Sequence, residues 1–231
     1  MSYIGSSEIK EMYLGSTEIA RAYLGSTLVF KKVAPVFYDR LVFDGTAYID
    51  TDIRCSNGQS FNVWLGNETV KAAQRVFLMD CGQSTTLGLL YTSVTNTSYR
   101  RMGIYYASSV QGSRQYAWTN TTYNFFMTPN RYGWNDSSYT LSKGTYSVQS
   151  DLFIGTSSGH SGQAYSGEMG TFYIYGSDAA DVTSPSGFSS YTPVYTLRPC
   201  TYDGAAGFWC VETSKFYGNT AGSGTLSVYN L

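Results

Sequence analysis

The residues of this chain that could carry out covalent chemistry are few and widely spaced. The single histidine, His160, lies in the polar stretch Ser157-Ser-Gly-His-Ser-Gly162, which predicts a surface loop and not a catalytic base. Retaining hydrolysis of a glycosidic bond needs two carboxyl groups about 5 Å apart. The two carboxyl groups would have to share one face of a strand, but Glu168 stands alone among glycines and Glu212 stands beside Thr213. We therefore predict that the protein is not an enzyme.

Aromatic residues are abundant, and they suggest binding chemistry. They form 16% of the chain, with 22 Tyr and 4 Trp. Exposed rings can stack on sugar faces, and neighbouring Asn or Asp side chains can bond sugar hydroxyls. The segment Tyr132-Gly-Trp-Asn-Asp136 has this character, so Tyr132, Trp134, Asn135 and Asp136 form a predicted glycan-binding patch. The alternative is that these rings fill a core or a subunit interface.

The composition argues against several classes of partner. Charged residues make up 13% of the chain, against about 25% in ordinary globular domains, and the formal net charge is −1 without a long basic run. Nucleic-acid binding needs clustered Lys and Arg, so we expect no nucleic-acid partner. No apolar run approaches the roughly 18 residues of a membrane span, so we expect no membrane partner.

The sequence also predicts no metal and no cofactor. The four cysteines form no CxxC pair and are expected to be free thiols, the alternative being that Cys200 and Cys210 face each other across a hairpin. Calcium needs several converging oxygen ligands. Asp44, Asp50 and Asp52 are close in sequence, but the first two flank a predicted turn and Asp52 ends a predicted strand. The polar start after Met1 has no signal-peptide core, which predicts synthesis in a cytoplasm.

Three near-copies of a ten-residue unit precede the body of the chain. Each Gly-Ser pair predicts a tight turn, and the flanking segments predict short strands or, as the second choice, a short helix. About thirty residues cannot bury their apolar faces alone, so this arm must pack on the head, on sister subunits or on a partner. We predict an arm at 1–34 and a head at 35–231. The predicted anchoring and oligomerisation residues are Tyr3, Ile4, Tyr13, Leu14, Tyr23 and Leu24.

The head has the pattern of an all-β domain. Runs rich in Val, Ile, Tyr, Phe and Thr alternate with Gly, Ser and Asn clusters at short spacing, as in Phe61-Asn-Val-Trp-Leu65 and Gly170-Thr-Phe-Tyr-Ile-Tyr175. No amphipathic helix of 12 or more residues is evident. Many short strands with Gly-rich turns predict a sandwich or jelly roll.

Three segments of the head resemble the concanavalin A-like (laminin-G-like) jelly roll. The first, at 41–52, is similar to an entry phrase ending in "Y-I-D-T-G", with Asp52 in place of the glycine. The second, at 151–175, is similar to the paired strands "L-y-I-G … f-x-G-x-i-x-x-f-x-I-Y". The third, at 196–225, includes Thr213-Ser-Lys-Phe-Tyr217, and Cys210 replaces the usual Asp. The resemblance implies a concanavalin A-like jelly-roll sandwich preceded by the arm.

The repeats resemble amino-terminal segments of phage structural proteins, including those of phages of gut Bacteroidales. Together the two resemblances imply a virion fibre or decoration protein with an outward-facing, lectin-like head and host-surface glycan binding as a further role. The expected partners are other virion proteins of capsid, neck or tail and sister subunits, with a homotrimer preferred. The alternative is a carbohydrate-binding adhesin whose main task is sugar recognition.

Overall fold

A computed structural model gives the architecture. It describes the backbone of residues 3–4, 7–8, 13–14, 17–19, 21–24, 27–55, 58–66, 75–80, 89–96, 99–106, 109–117, 122–140, 151–156 and 164–231. The chain divides into two compact units, Met1–Val36 and Phe37–Leu231. The boundary between them lies two residues after the predicted one.

The first unit consists of three β-hairpins. Within the described residues each repeat forms its own two-stranded antiparallel sheet. Ile4 pairs with Ser7 in the first hairpin, and Leu14 pairs with Thr17 in the second. Strands, the first of the two predicted alternatives, are therefore what the structure shows. The strands are β1 (Tyr3–Ile4), β2 (Ser7–Glu8), β3 (Tyr13–Leu14), β4 (Thr17–Glu18), β5 (Arg21–Leu24) and β6 (Thr27–Lys31).

The second unit is built from short strands and two brief 3-10 helices, at Ser177–Ala179 and Pro185–Ser190. The strands are β7 (Val36–Phe37), β8 (Arg40–Asp44), β9 (Ile49–Arg54), β10 (Ser60–Gly66), β11 (Arg75–Asp80), β12 (Leu89–Asn96), β13 (Tyr99–Tyr106), β14 (Ser109–Ala117), β15 (Tyr123–Met127), β16 (Arg131–Trp134), β17 (Ser137–Thr140), β18 (Asp151–Ile154), β19 (Ser166–Tyr175), β20 (Pro193–Tyr202), β21 (Ala205–Cys210), β22 (Lys215–Gly218) and β23 (Leu226–Tyr229).

These strands form two antiparallel sheets. In the part of the chain that the structure describes, the larger sheet has eleven strands, in the order β17-β16-β15-β10-β19-β20-β21-β22 with β7, β8 and β23 paired beside this path. The smaller sheet has the order β14-β13-β12-β11-β18-β9. Strand β22 is thus the last strand in the order of the larger sheet, and β9 is the last strand of the smaller sheet.

The main core contains residues from both sheets. Strand β9 shows how the sequence directs it, because Ile49, Thr51 and Ile53 are buried while the residues between them are exposed. This alternation is the period of two that a strand with one buried face must have. Phe61 and Phe172 from the larger sheet meet edge to face at 6.2 Å between ring centroids. Each such fully buried apolar side chain stabilises the fold by about 1.5–3 kcal/mol.

A second, smaller core lies on the outer face of the larger sheet, under the 3-10 helices. Phe188 stacks on Tyr175 with 4.5 Å between ring centroids and meets Phe126 edge to face. This segment covers one part of the outer face. The outer face of the strands further along the sheet, β20 to β22, is only partly covered.

The described cysteines are free thiols, as predicted. Cys55, Cys200 and Cys210 are buried and unbridged. Leu197 pairs with Cys210 and Cys200 pairs with Gly207, so the last two cysteines are three residues out of register on neighbouring strands. Burial raises the pKa of the Cys200 thiol to about 12. No helix among the described residues is long and apolar enough to span a membrane.

Candidate functional site

The edges of the two sheets meet along one side of the sandwich. The alternation of β9 that buries Ile49 and Ile53 turns Asp50 and Asp52 outward. Opposite, β22 directs Tyr217 into the core. The Tyr217 hydroxyl and the Lys215 ammonium both donate hydrogen bonds to the Asp52 carboxylate. Asp52 therefore joins the two edges.

The electrostatics of this bridge follow from its contacts. The hydrogen bond from Lys215, followed by that from Tyr217, lowers the pKa of Asp52 below its usual value. Burial, reinforced by the hydrogen bond to Asp52, raises the pKa of Tyr217. The Lys215 ammonium also lies 5.3 Å from the centroid of the Tyr217 ring. At neutral pH Asp52 is thus a carboxylate and Tyr217 a neutral phenol.

The bridge forms one wall of an open cleft of about 490 Å³, a volume typical of small-ligand sites. The side chains of Asp52 and Lys215 are 61% and 50% exposed, so both charges face solvent. The lining residues outside the bridge supply carboxylate, hydroxyl and aromatic groups, and they are Asp50, Thr51, Asp151, Phe216, Gly218, Asn219 and Thr220.

The loop after β22 is fixed in place by Asn219. The Asn219 amide group donates to the carbonyls of Ser223 and Gly224 at 3.0 and 3.1 Å. Its carbonyl oxygen accepts from the backbone N–H of Ala221 at 3.0 Å and of Tyr48 at 3.3 Å. These four hydrogen bonds hold the loop that forms this part of the cleft wall.

Thr220 ties the same loop to β9. Its hydroxyl accepts from the backbone N–H of Asp50 at 3.0 Å, and its own N–H donates to the carbonyl of Tyr48 at 2.8 Å. The hydroxyl also lies 3.4 Å from the carbonyl of Gly218. These bonds place Thr220 and Asp50 side by side on the cleft wall.

Asp44, one of the aspartates weighed as calcium ligands, locks a turn. Its carboxylate accepts hydrogen bonds from the Thr46 N–H and hydroxyl at 2.8 Å, from the Ala47 N–H at 2.9 Å, and from the Thr225 N–H. Desolvation acts to raise the pKa of Asp44, and these bonds outweigh it, so that the pKa is lowered. Across the described residues, no group of three or more His, Cys, Asp or Glu is placed to hold a metal.

The aromatic rings of the predicted glycan patch are buried. Tyr132 is 1% exposed and Trp134 is 7% exposed, and both pack against Tyr139, at centroid distances of 5.7 and 5.3 Å. Both rings lie on the same strand face because one residue separates them, and that face is packed into the main core. Neither ring offers an open face to a sugar, so the stacking role predicted for them is corrected to core packing.

The polar half of that patch lies at a turn. Asn135 has φ +49°, and its side chain accepts a hydrogen bond from the backbone N–H of Asn124 at 2.9 Å. Asp136 is exposed beside it.

The sequence did not predict Lys215 and Tyr217 as site residues. Both lie in the resembling segment 196–225, and Asp52 lies in the resembling segment 41–52. His160 lies outside the described residues.

The predicted anchoring residues lie on the strands of the hairpins. Tyr3, Ile4 and Tyr13 have strand backbones, and their side chains lie outside the description. Leu14, Tyr23 and Leu24 are 76%, 57% and 75% exposed. Their assignment to anchoring or oligomerisation stays a prediction.

The two packed antiparallel sheets define an all-β, concanavalin A-like jelly-roll sandwich with a lectin-like fold, as predicted. No protein-family model matches the sequence, and no curated protein matches it. The chain is similar to the heptameric SAP-like pentraxin of Limulus polyphemus, with a TM-score of 0.54 and 11% identity over 85% of this chain and 98% of that one.

It is also similar to a Bacteroides ovatus protein provisionally described as carbohydrate-binding, with a TM-score of 0.51 and 11% identity over 93% of this chain and 67% of that one. At this level of identity the two similarities establish the fold.

Proposed function

We propose that the head is a carbohydrate-binding domain that holds a sugar in the cleft between β9 and β22. The observation that carries the proposal is the solvent-facing pair of Asp52 and Lys215 in a preformed polar cleft. Sugar hydroxyls both donate and accept hydrogen bonds. A carboxylate can therefore accept from one hydroxyl of a sugar ring while the neighbouring ammonium donates to another. Hydrogen bonds of Asn219 already hold the loop after β22 in place, which reduces the conformational entropy lost on binding.

The head binds without cleaving. Glycoside hydrolysis needs a general acid whose pKa is raised, so that it carries a proton near neutral pH. The pKa of Asp52 is lowered, which keeps this carboxyl ionised and suits it to accept hydrogen bonds from hydroxyls. Incubation with bound polysaccharide is expected to release no new reducing ends.

Binding to an array of bacterial capsular polysaccharides and lipopolysaccharide O-chains tests the proposal. Asp52→Asn keeps the shape of the side chain and removes its charge, and we expect it to weaken binding about tenfold or more. Asp136→Asn is the matched control, because it makes the same change at an exposed position of the originally predicted patch. Loss of binding in Asp136→Asn with retention in Asp52→Asn would contradict the cleft and favour that patch.

For the whole chain we propose the role of a phage virion protein, made in the host cytoplasm and assembled as a homotrimer with other virion proteins. Leu14 and Leu24 support it, because these large apolar side chains are exposed at equivalent positions of successive repeats. Repeated exposed apolar positions are typical of contact surfaces. The head then projects outward and contacts the glycan of the host surface.

Deletion of residues 1–34 separates this role from that of an adhesin whose main task is sugar recognition. If the arm anchors the protein, the deletion abolishes trimer formation and incorporation into particles while the head keeps its unfolding transition. If the arm is only a linker, the deleted chain keeps the oligomeric state of the parent and its sugar binding. A stable monomer of the full chain in solution would contradict the trimer.

A further inference from the structure

Three half-buried aromatic rings form a ladder on the outer face of β20, β21 and β22. Tyr202 lies 5.3 Å from Trp209 and 5.5 Å from Phe216 between ring centroids, with interplanar angles of 39° and 32°. Trp209 pairs directly with Phe216 across the strands. These rings, which we call the aromatic ladder, are on the part of the outer face that the 3-10 helices leave open.

A pair of glycines forms the floor of the ladder. Gly207 pairs with Gly218 in the row beside Trp209 and Phe216. A Cβ at Gly207 would lie 2.8 Å from the Phe216 ring, and one at Gly218 would lie 2.9 Å from it. The Phe216 ring therefore rests on bare backbone, and Tyr202 closes over the same row from the other side.

The ladder is continuous with the cleft at one end and has a charged group at the other. Phe216 belongs to the ladder and also lines the cleft. Arg198, which pairs with Trp209 on the neighbouring strand, is exposed and stacks on the Phe37 ring at 4.0 Å. The surface thus runs from the polar cleft, across the aromatic rings, to the guanidinium group of Arg198.

We propose that the aromatic ladder is a second sugar subsite, so that the ligand is an oligosaccharide of several pyranose units. This inference rests on the proposed function of the cleft. A pyranose ring presents an apolar C–H face, which suits Tyr and Trp rings that combine a large apolar surface with a polar edge. Arg198 can donate hydrogen bonds to hydroxyl oxygens of the last unit. The continuity through Phe216 identifies the occupant as the same chain that the cleft holds.

Affinity as a function of chain length tests the inference. The probe is a series from disaccharide to hexasaccharide, cut from whichever polysaccharide the array identifies, titrated against the full-length protein by calorimetry. We expect the hexasaccharide to bind about tenfold more tightly than the disaccharide or better. Trp209→Ala and Tyr202→Ala are expected to remove this gain and to leave disaccharide affinity unchanged. Val194→Ser, at an exposed position near the opposite end of β20, is the matched control.

Each outcome separates the two proposals. Equal affinity for short and long fragments, or a gain that survives in folded Trp209→Ala, overturns the second subsite and leaves the cleft in place. If Trp209→Ala does not fold, Trp209→Phe replaces it and is expected to reduce the gain partially. No binding of any glycan by the parent chain overturns both proposals. A Trp209-dependent change in sedimentation without any change in glycan affinity identifies a second copy of the chain as the occupant and also overturns the subsite.

Discussion

The hydroxyl of Tyr217 donates a hydrogen bond to Asp52, a residue 165 positions away, and this bond connects the last strand of one sheet to the last strand of the other. The backbone of the same edges is tied separately by Thr220, whose hydroxyl accepts from the Asp50 N–H and whose N–H donates to the Tyr48 carbonyl. The bond from Tyr217 orients Asp52 toward Lys215 and into the cleft. Stability and binding therefore share one contact.

Tyr217→Phe is predicted to destabilise the head by about 1–2 kcal/mol, because it removes a hydrogen bond to a charged group and little else. Lys215→Met is the comparison, and we expect it to cost less than about 1 kcal/mol, since both charges of that pair are largely exposed. Urea unfolding of the two variants measures the difference. A larger loss in Lys215→Met would show that the ion pair, and not the phenol, holds the edges together.

The bridge predicts a pH dependence with two limits. The pKa of Asp52 is lowered in the fold by Lys215 and Tyr217, so its contribution is present above the unfolded value near 3.9 and is lost as pH falls through the folded value. The pKa of Tyr217 is raised by burial and by Asp52, so its contribution is present below about pH 10 and is lost as pH rises through the folded value.

Unfolding free energies of the parent and Asp52→Asn across this pH range measure both limits. We expect a flat neutral region with declines below about pH 4 and above about pH 10. Both declines should be smaller in the variant. If the two pH profiles superimpose after a constant offset, Asp52 is excluded as the source of the declines in stability.

Trp134→Ala is predicted to destabilise the head by about 3–5 kcal/mol, because the ring fills the core between the sheets. Asp136→Asn, two residues on and exposed, is expected to change stability by less than about 0.5 kcal/mol. Chemical denaturation distinguishes these cases. A stable Trp134→Ala variant that has lost glycan binding would return the ring to the surface and contradict the structure.

Gly207→Ala is predicted to cost about 1–3 kcal/mol through overpacking. The added Cβ would lie 2.2 Å from the Tyr217 carbonyl oxygen as well as against the Phe216 ring. Gly204→Ala has open space around it and only the strain of φ +82°, so we expect a smaller loss there. Thermal unfolding of the two variants measures the difference. Parent-like stability in Gly207→Ala would mean that the Phe216 ring does not rest on the glycine floor.

Local pattern was sufficient to predict much of the fold. The β-rich runs between glycine clusters indicated the sandwich, and the segments of the repeats indicated short strands, which the hairpin pairings confirm. These features depend on residues close in sequence. The structure and its similarity to solved jelly rolls confirm the fold class.

The site could not be predicted in the same way. Asp52 stands where the resembled phrase has glycine, which marks the position as unusual, but its partners lie beyond residue 210. Pairing over such a separation depends on which strands end each sheet, and local periodicity does not contain that information. Tyr132 and Trp134 were misjudged for a related reason: two aromatics separated by one glycine fall on the same strand face, and only the sheet shows that this face is buried.

The central claim, a sugar held between β9 and β22, is tested most directly by mapping amide chemical shifts of the ¹⁵N-labelled protein as the bound oligosaccharide is added. We predict the largest changes at Asp50, Asp52, Lys215 and Thr220, with residues 132–136 unchanged. Saturable changes centred on residues 132–136, with β9 and β22 silent, would contradict the claim.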